Sequence, residues 1–363
     1  MTPLSQVEPS GAGPVDLPTA NVPVSDESGL VDAFGRRAQD LRISLTDKCS
    51  LRCSYCMPAE GLDWLSKDKV LSDDEILRLA SIFVGLGVTT IRLTGGEPLV
   101  RAGVAGLVRR LATLQPRPGL SLTTNALALA DKALDLAAAG LDRVNVSLDT
   151  LDRQKFHELT RRDRLSDVLA GLQAASEAGL SPVKVNAVLM RDMNLSEAPQ
   201  LLQWALESGY QMRFIEHMPL DAQHAWTREQ MVTADDVQAA LTSVFGLRPI
   251  GHLDHAPAES FEVLDGPGRS HWRTDPPRVG IIASVTRPFC RDCDRLRLTA
   301  DGQLRTCLFA HQETDLRAAL RGGSTDTELE QIIREAVRAK PSGHGIAAPG
   351  FRQPDRPMSA IGG

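Results

Sequence analysis

The chain has 363 residues, 42% of them hydrophobic and 24% charged, with a formal net charge of −6. That length accommodates one large domain and a smaller module, and the acidic balance excludes bulk attraction to nucleic acid or an anionic membrane while leaving room for a local basic pocket. No run of about 18 apolar residues occurs, so no transmembrane helix is expected. No basic-then-apolar signal pattern opens the chain either, so a soluble cytoplasmic protein is expected.

Residues 1–38 are rich in Pro, Gly, Ser and acidic residues without periodicity and read as a disordered leader, and the similar residues 340–363 are expected to lack regular structure. Runs of β type follow at 41–45, 88–94, 119–124, 143–149, 183–190 and 211–218, with helical patterns between them. The first of these patterns, SDDEILRLASIFVGLG, sets Ser72 and Glu75 at capping-box spacing and has Gly85 and Gly87 near its end. The segments RAGVAGLVRRLATL, LADKALDLAAAG, RLSDVLAGLQAASEAG and SEAPQLLQWALESG continue the alternation. About six strand–helix units imply a parallel α/β architecture with right-handed crossovers. A closed barrel needs eight.

Parallel strands covered on both faces read as continuous apolar runs. Several strands here alternate instead. Leu41, Ile43 and Leu45 alternate with Arg42, Ser44 and Thr46, and Ile91 and Leu93 with Arg92 and Thr94. Val144, Val146 and Leu148 alternate with Asn145, Ser147 and Asp149, and Val183 and Val185 with Lys184 and Asn186. Side chains on a strand alternate faces, so each strand has an apolar side for the helices and a polar side. A partial barrel whose wet lumen is the active site explains the pattern. Edge or solvent-facing strands are the alternative, which suits one such strand better than four.

All six cysteines fall into two triplets. Cys49, Cys53 and Cys56 read Cys-x3-Cys-x2-Cys just after the first strand, at the end where α/β barrels keep their active sites. Cys290, Cys293 and Cys307 read Cys-x2-Cys-x13-Cys in a stretch of poor periodicity beyond the last strand. In a reducing compartment such groups are metal ligands rather than disulfides. Three thiolates suit a 4Fe-4S cluster that keeps one iron free for a ligand that is not protein. Zinc is the alternative for either triplet, but it wants four ligands, and the next histidine after the first triplet is His157. His311, four residues after Cys307, is a further candidate ligand. After the second strand, Gly95-Gly96-Glu97-Pro98 combines glycines that allow close backbone approach with a carboxylate able to accept from an amine. Arg295 and Arg297 flank Leu296 directly after Cys293, and arginine suits bidentate phosphate or base recognition. Trp64, Trp204, Trp226 and Trp272 read as packing residues.

The first triplet followed by a strand ending in Gly-Gly-Glu-Pro resembles the radical SAM enzymes. The second triplet, the Cys-x-Arg-x-Arg continuation and the terminal Gly362-Gly363 narrow the resemblance to the GTP 3′,8-cyclases of molybdenum cofactor biosynthesis. It covers the chain from about Leu41 to its end. The resemblance implies an incomplete (β/α)6 TIM-like barrel of radical SAM type over 39–220. A C-terminal auxiliary iron–sulfur cluster module over 221–340 and a tail over 341–363 would follow, the tail reaching back toward the active site. It implies two 4Fe-4S clusters, on Cys49, Cys53 and Cys56 and on Cys290, Cys293 and Cys307, with S-adenosylmethionine (SAM) at the first and guanine at the second. Tyr55, Gly96, Ser147 and Met218 match the SAM contacts of that family. Arg42, Arg92, Thr123 (with Thr124 beside it), Lys184, Arg295, Leu296 and Arg297 match its GTP contacts. The implied lyase reaction abstracts hydrogen from C3′ of GTP, joins C3′ to C8 and yields 3′,8-cyclo-7,8-dihydro-GTP, 5′-deoxyadenosine and methionine. Implied partners are a flavodoxin- or ferredoxin-type reductant and cyclic pyranopterin monophosphate synthase as recipient, with the chain a monomer or homodimer. His217 departs from the acidic residue or tyrosine usual before Met218, and the resemblance gives His311 no metal role. A peptide maturase with an auxiliary cluster is the competing radical SAM reading, but such modules carry more cysteines and need no triphosphate cations. A zinc protein that binds nucleic acid is the non-enzymatic one.

Overall fold

The computed structural model describes residues 29–253, 256–346, 348 and 350–362. Twelve strands form one sheet. The first six are β1 (Asp40–Ser44), β2 (Thr90–Thr94), β3 (Gly119–Thr124), β4 (Arg143–Ser147), β5 (Lys184–Leu189) and β6 (Gln211–Glu216), each parallel to the next. Helices α1 (Asp73–Gly85), α2 (Val104–Leu111) and α3 (Ala133–Ala138) join the first four strands. Then α4 (Arg153–Thr160), α5 (Leu165–Glu177) and α6 (Ala198–Ser208) join the rest. The α1 capping box forms, with Glu75 N donating to Ser72 Oγ and Ser72 N to Glu75 Oε2. Helix α4 is an addition to the pattern legible in the sequence, so two helices lie between β4 and β5.

The six-stranded barrel is extended at both open edges. The remaining strands are β7 (Gly246–His252), β8 (Glu259–Asp265), β9 (Arg278–Ile282), β10 (Arg295–Leu298), β11 (Gln303–Arg305) and β12 (Thr314–Asp315). Strand β9 pairs parallel with β6, and β10 pairs parallel with β1. The order is therefore β12-β11-β10-β1-β2-β3-β4-β5-β6-β9-β8-β7. Between β6 and β7 lies α7 (Ala234–Thr242), and after β12 come α8 (Leu316–Arg321), α9 (Asp326–Arg338) and α10 (Met358–Ile361). Among the described residues no helix is long and apolar enough to cross a membrane.

The alternating polarity sorts as the strands require. Leu41, Ile43, Ile91, Leu93, Val144, Val146 and Val185 are wholly buried in one core with the apolar stripes of the helices. A smaller cluster of Leu220, Met231, Val285, Phe309, Ile346 and Ile361 joins the C-terminal module to the tail.

Two sequence expectations need correction. Residues 1–28 of the expected leader lie outside the described residues, but 29–38 are packed rather than disordered. Val31 bridges Arg37, Leu30 and Ala38 are buried, and Asp32 accepts from Phe34 N, Arg36 N and the Arg36 guanidinium. The apolar residues at both ends of this turn reach the core, and Arg334 Nη1 donates to Gly29 O at 2.9 Å. The tail, expected to lack regular structure, contains α10, whose Ile361 is buried in the smaller cluster. Gly363 of the expected Gly-Gly end lies outside the described residues.

Candidate active site

The polar strand faces converge on one cavity. Arg42 and Ser44 of β1 face Arg92 and Thr94 of β2 in register. Arg297 of β10 pairs with Arg42, and Arg295 with Asp40, on the other side. Arg42, Arg92, Thr94, Thr123, Ser147, Asn186, Arg213, Arg295 and Arg297 all line the cavity. Lys184 and Arg143 stand at the N-terminal ends of β5 and β4. Lys184 is not among the lining residues but belongs to the same group of cations, since Arg213, Arg143 and Arg92 all act on it. Leu296, expected among the nucleotide contacts, is wholly buried in the apolar core. Strand alternation turns its side chain away from the lumen that Arg295 and Arg297 face.

These cations crowd one another. Burial, then Arg213, Arg143 and Arg92, lowers Lys184 to about 7. Burial, then Arg92 and Arg143, lowers Arg213 to about 10, and burial, then Arg295, lowers Arg297 to about 10. Asp40 sits among them, 3.8 Å from Arg42 Nε and 3.9 Å from Arg92 Nη2. Burial pushes its carboxyl up, but Arg92, Arg42, Arg295 and Arg297 together outweigh that and hold it below its ordinary value. Arg42 Nε, Arg92 Nε, Ser44 Oγ, Asn145 Oδ1 and Asn186 Oδ1 are buried without hydrogen-bond partners. A lumen of mutually repelling cations and unused polar atoms is built for a polyanion with further polar groups.

The cysteines lie at the two ends of this lumen. Cys49, Cys53 and Cys56 follow the C-terminal end of β1. Cys293 precedes the N-terminal end of β10, parallel to β1, and Cys307 follows the C-terminal end of β11, antiparallel to β10. All six are free and all line the cavity. Burial pushes the Cys53 thiol well up, Cys56 adding to it, and burial and Cys49 push Cys56 up to about 12. Burial also raises Cys49, Cys290 and Cys307. At Cys293 burial is outweighed by Arg295 and Lys340, so that thiol is held below its ordinary value. Buried thiols of this kind ionise when a metal supplies the compensating charge. Among the described residues no group of three or more His, Cys, Asp or Glu could hold a single metal ion. The thiolates of a 4Fe-4S cluster each bind a different iron and stand farther apart than the ligands of one ion. Three thiolates in each donor set suit a 4Fe-4S cluster that keeps one iron open. His311 is exposed and its ring meets Arg352 O at 3.2 Å.

The expected SAM residues gather around the first triplet. Tyr55 OH donates to Asp149 Oδ2 at 2.7 Å, and its ring meets His217 edge-on with centroids 6.0 Å apart. Gly96 packs so closely on the cysteine loop that a Cβ would lie 2.4 Å from Asp47 O and 2.5 Å from Lys48 O. Ser147 and Met218 complete this end of the cavity. Thr123 faces the lumen, whereas Thr124 Oγ1 donates to Glu97 Oε1 at 2.7 Å. Glu97 also accepts from Leu99 N and Asn125 N, so its carboxylate serves the turn after β2. Burial raises it to about 7 against those bonds.

The tail enters the same space. The Gly362 carbonyl accepts a hydrogen bond from Arg297 Nη1, and a Cβ on Gly362 would lie 2.9 Å from Thr94 Cγ2 and 3.2 Å from Ser44 Cβ. Three residues earlier, Ser359 bears on Cys56 and offsets part of the rise in its thiol.

Several site residues were passed over in the sequence. Arg213 carries the same alternation signal as Arg92 and Lys184, and Asn186, placed on a polar strand face, was given no role. Asn125, whose Nδ2 lies 3.8 Å from Cys49 Sγ, gave no local signal, and Asp149, placed on a polar strand face, gave none of its hold on Tyr55. The four tryptophans pack as expected, Trp204 against Tyr210, Trp272 against Phe245, Trp64 under Arg52, and Trp226 with its Nε1 on His217 O.

Residues 43–205 match the Radical SAM superfamily and residues 210–346 match Molybdenum Cofactor Synthesis C. A GTP 3′,8-cyclase of Streptomyces coelicolor is 59% identical over 337 residues, 92% of this chain and 96% of the relative. A GTP 3′,8-cyclase of Mycobacterium sp. (strain KMS) is 54% identical over 359 residues, 98% of this chain and 99% of the relative. Streptococcus suis SuiB bound to precursor peptide SuiA is similar in fold alone, with a TM-score of 0.59 at 16% identity over 87% of this chain and 68% of that one. This chain belongs to the GTP 3′,8-cyclase family of radical SAM enzymes.

Proposed function

We propose that this chain is a lyase that converts GTP to (8S)-3′,8-cyclo-7,8-dihydroguanosine 5′-triphosphate, the first step of molybdenum cofactor biosynthesis. The observation that carries the reading is one lumen in which a belt of crowded cations lies between two cysteine triplets. Its cofactors are two 4Fe-4S clusters and SAM. Cys49, Cys53 and Cys56 hold the first cluster, and Cys290, Cys293 and Cys307 hold the second. When bound, the first cluster with SAM supplies the radical that removes hydrogen from C3′ of GTP, and the second gives guanine a metal to rest on.

The chain's own residues position and enclose. Arg42, Arg92, Lys184, Arg213, Arg295 and Arg297 neutralise the triphosphate, whose charge relieves their mutual repulsion. Thr123 offers its hydroxyl to the nucleotide. Tyr55, held by Asp149, and the Gly96 backbone, with Ser147 and Met218, orient SAM beside the first triplet. Fixing both molecules in one closed lumen makes an otherwise bimolecular step effectively unimolecular. The tail and the strands flanking β1 and β6 exclude water that would quench a radical.

The division of labour follows the chain: the barrel core of 39–220 serves SAM, the module of 221–340 serves guanine, and the tail of 341–363 closes the lumen. The enzyme works in the cytoplasm as a monomer or homodimer, without nucleic acid or membrane. It draws electrons from a flavodoxin- or ferredoxin-type reductant and passes its product to cyclic pyranopterin monophosphate synthase. Anaerobic incubation of the reconstituted protein with GTP, SAM and dithionite, followed by mass spectrometry, tests the reading. 5′-Deoxyadenosine and a cyclised nucleotide are expected together; 5′-deoxyadenosine without nucleotide product would sink the cyclase assignment.

A further inference from the structure

Lys340 lies just past α9 and is only 4% exposed. Its ammonium is not spent on the last carbonyls of that helix. Nζ donates to Cys293 O at 2.8 Å, to Arg295 O at 3.1 Å and to Cys293 Sγ at 3.7 Å. A lysine has three N–H donors, and here each has a partner on one cysteine or the residue two beyond it. Lys340 does not line the lumen, and with all three donors engaged on the ligand turn it has none to offer the nucleotide.

The other end of the same turn is held in the same way. Arg36 Nη1 donates to Cys290 O at 2.8 Å and to Ser342 O at 3.0 Å, and Nη2 donates to Pro341 O at 2.6 Å. Asp32 fixes that guanidinium at 2.5 Å. The Cys290–Cys293 turn and the segment after Lys340 are thus bound together by two cations, one from each end of the described chain.

We propose that Lys340 is a positioning residue for the second cluster, fixing the Cys293 end of the ligand turn and, through its N–H and charge at the sulfur, making that cluster easier to reduce. The inference rests on the second triplet holding an iron–sulfur cluster. Hydrogen bonds to the sulfurs and local charge set cluster potentials. A cation beside the sulfur favours the reduced cluster, which is the more negative of the two states.

The test uses full-length protein in which Cys49→Ser, Cys53→Ser and Cys56→Ser leave iron only on the second triplet. Lys340→Met, Lys340→Gln and Lys340→Arg are compared with Lys340 in that background. The readouts are iron per chain and the midpoint from an EPR-monitored redox titration. Both neutral variants should shift the one-electron equilibrium about tenfold toward the oxidised cluster, a midpoint about 59 mV more negative, and Lys340→Arg should restore it. Loss of iron from the neutral variants alone, in folded protein, would equally support the anchoring role. Full iron with an unmoved midpoint in both would overturn the inference. Global unfolding of both by circular dichroism would also overturn it, by making Lys340 a general folding residue. Failure of the Lys340 background protein to take up iron would instead refute the second cluster itself, before any lysine variant is compared.

Discussion

Lys184 should make GTP binding depend on pH between about 7 and 9, a window in which the triphosphate gains little further charge. Its amine is lowered to about 7, first by burial and then by Arg213, Arg143 and Arg92. A bound triphosphate favours the ammonium and returns it toward the ordinary lysine range. The free protein holds the ammonium in about half of molecules at pH 7 and about one in a hundred at pH 9. GTP affinity should therefore weaken by about fifty-fold between those two pH values. A terminal phosphate loses its last proton around pH 6, so it adds little above pH 7. Equilibrium binding of GTP without SAM, so that no turnover occurs, measures this directly. Lys184→Met should bind weakly at pH 7 with a flat profile, and Lys184→Arg should bind tightly with a flat profile. A wild-type profile that stays level from pH 7 to 9, or a slope that survives in Lys184→Met, would refute the reasoning. The stability linkage has a definite sign as well. Between about 7 and the ordinary lysine value the unfolded chain binds more protons than the folded one, so this residue's contribution to stability rises with pH across that window. Lys184→Met should accordingly raise the melting temperature of ligand-free protein near neutral pH, trading binding for stability.

Other perturbations separate structure from chemistry. Gly96→Ala should lose the first cluster, with iron falling by roughly half, because its Cβ would lie 2.4 Å from Asp47 O in rigid backbone. Gly85→Ala, with nothing within 4 Å, should be neutral or slightly stabilising by thermal melt. Thr124→Val removes one of three donors from the buried Glu97 carboxylate and should cost about 1–3 kcal/mol in denaturant unfolding. Thr123→Val should weaken GTP in a binding titration and lower stability slightly, because the Thr123 hydroxyl also accepts from buried Asn145 Nδ2 at 3.4 Å. Deleting Gly362-Gly363 should lower cyclised product while both clusters' absorbance and iron persist, because Arg297 loses the carbonyl it holds; full turnover by the truncated enzyme would contradict that.

The sequence made the lumen legible because a strand repeats every two residues. Arg42, Ser44, Arg92, Ser147 and Lys184 each stand between apolar neighbours, and that period alone assigns them a face. Arg213 obeys the same rule between Met212 and Phe214 and could have been read the same way. Leu296 shows the cost of taking a segment whole, since in Arg295-Leu296-Arg297 the strand turns the middle side chain into the core. What stayed hidden depends on contacts far apart in the chain. Tyr55 meets Asp149 across 94 residues and Lys340 meets Cys293 across 47, and no local pattern encodes either. The segment 29–38 misled because composition reports average polarity. Leu30 and Ala38, apolar and well placed, are enough to pin a short turn to the core.

The two family matches meet near residue 205, yet the sheet does not divide there. A six-stranded barrel leaves the outer edges of β1 and β6 unpaired, and unpaired edges invite water and other chains. This chain covers both with strands from its C-terminal half, β10 on β1 and β9 on β6. The strand that covers β1 also carries Arg295 and Arg297, and its register sets Arg297 beside Arg42. The covering of the edge and the completion of the cation belt are thus one structural event. The residue before the same strand's first turn of ladder, Asp294, follows Cys293 directly, so the second triplet is fixed in height relative to the lumen by the same hydrogen bonds. A substrate that spans from the belt to that triplet would be measured by strand register, and a one-residue slip would turn every side chain of β10 to the wrong face. That is why the spacing between Cys293 and the two arginines carries more information about this site than either motif does alone.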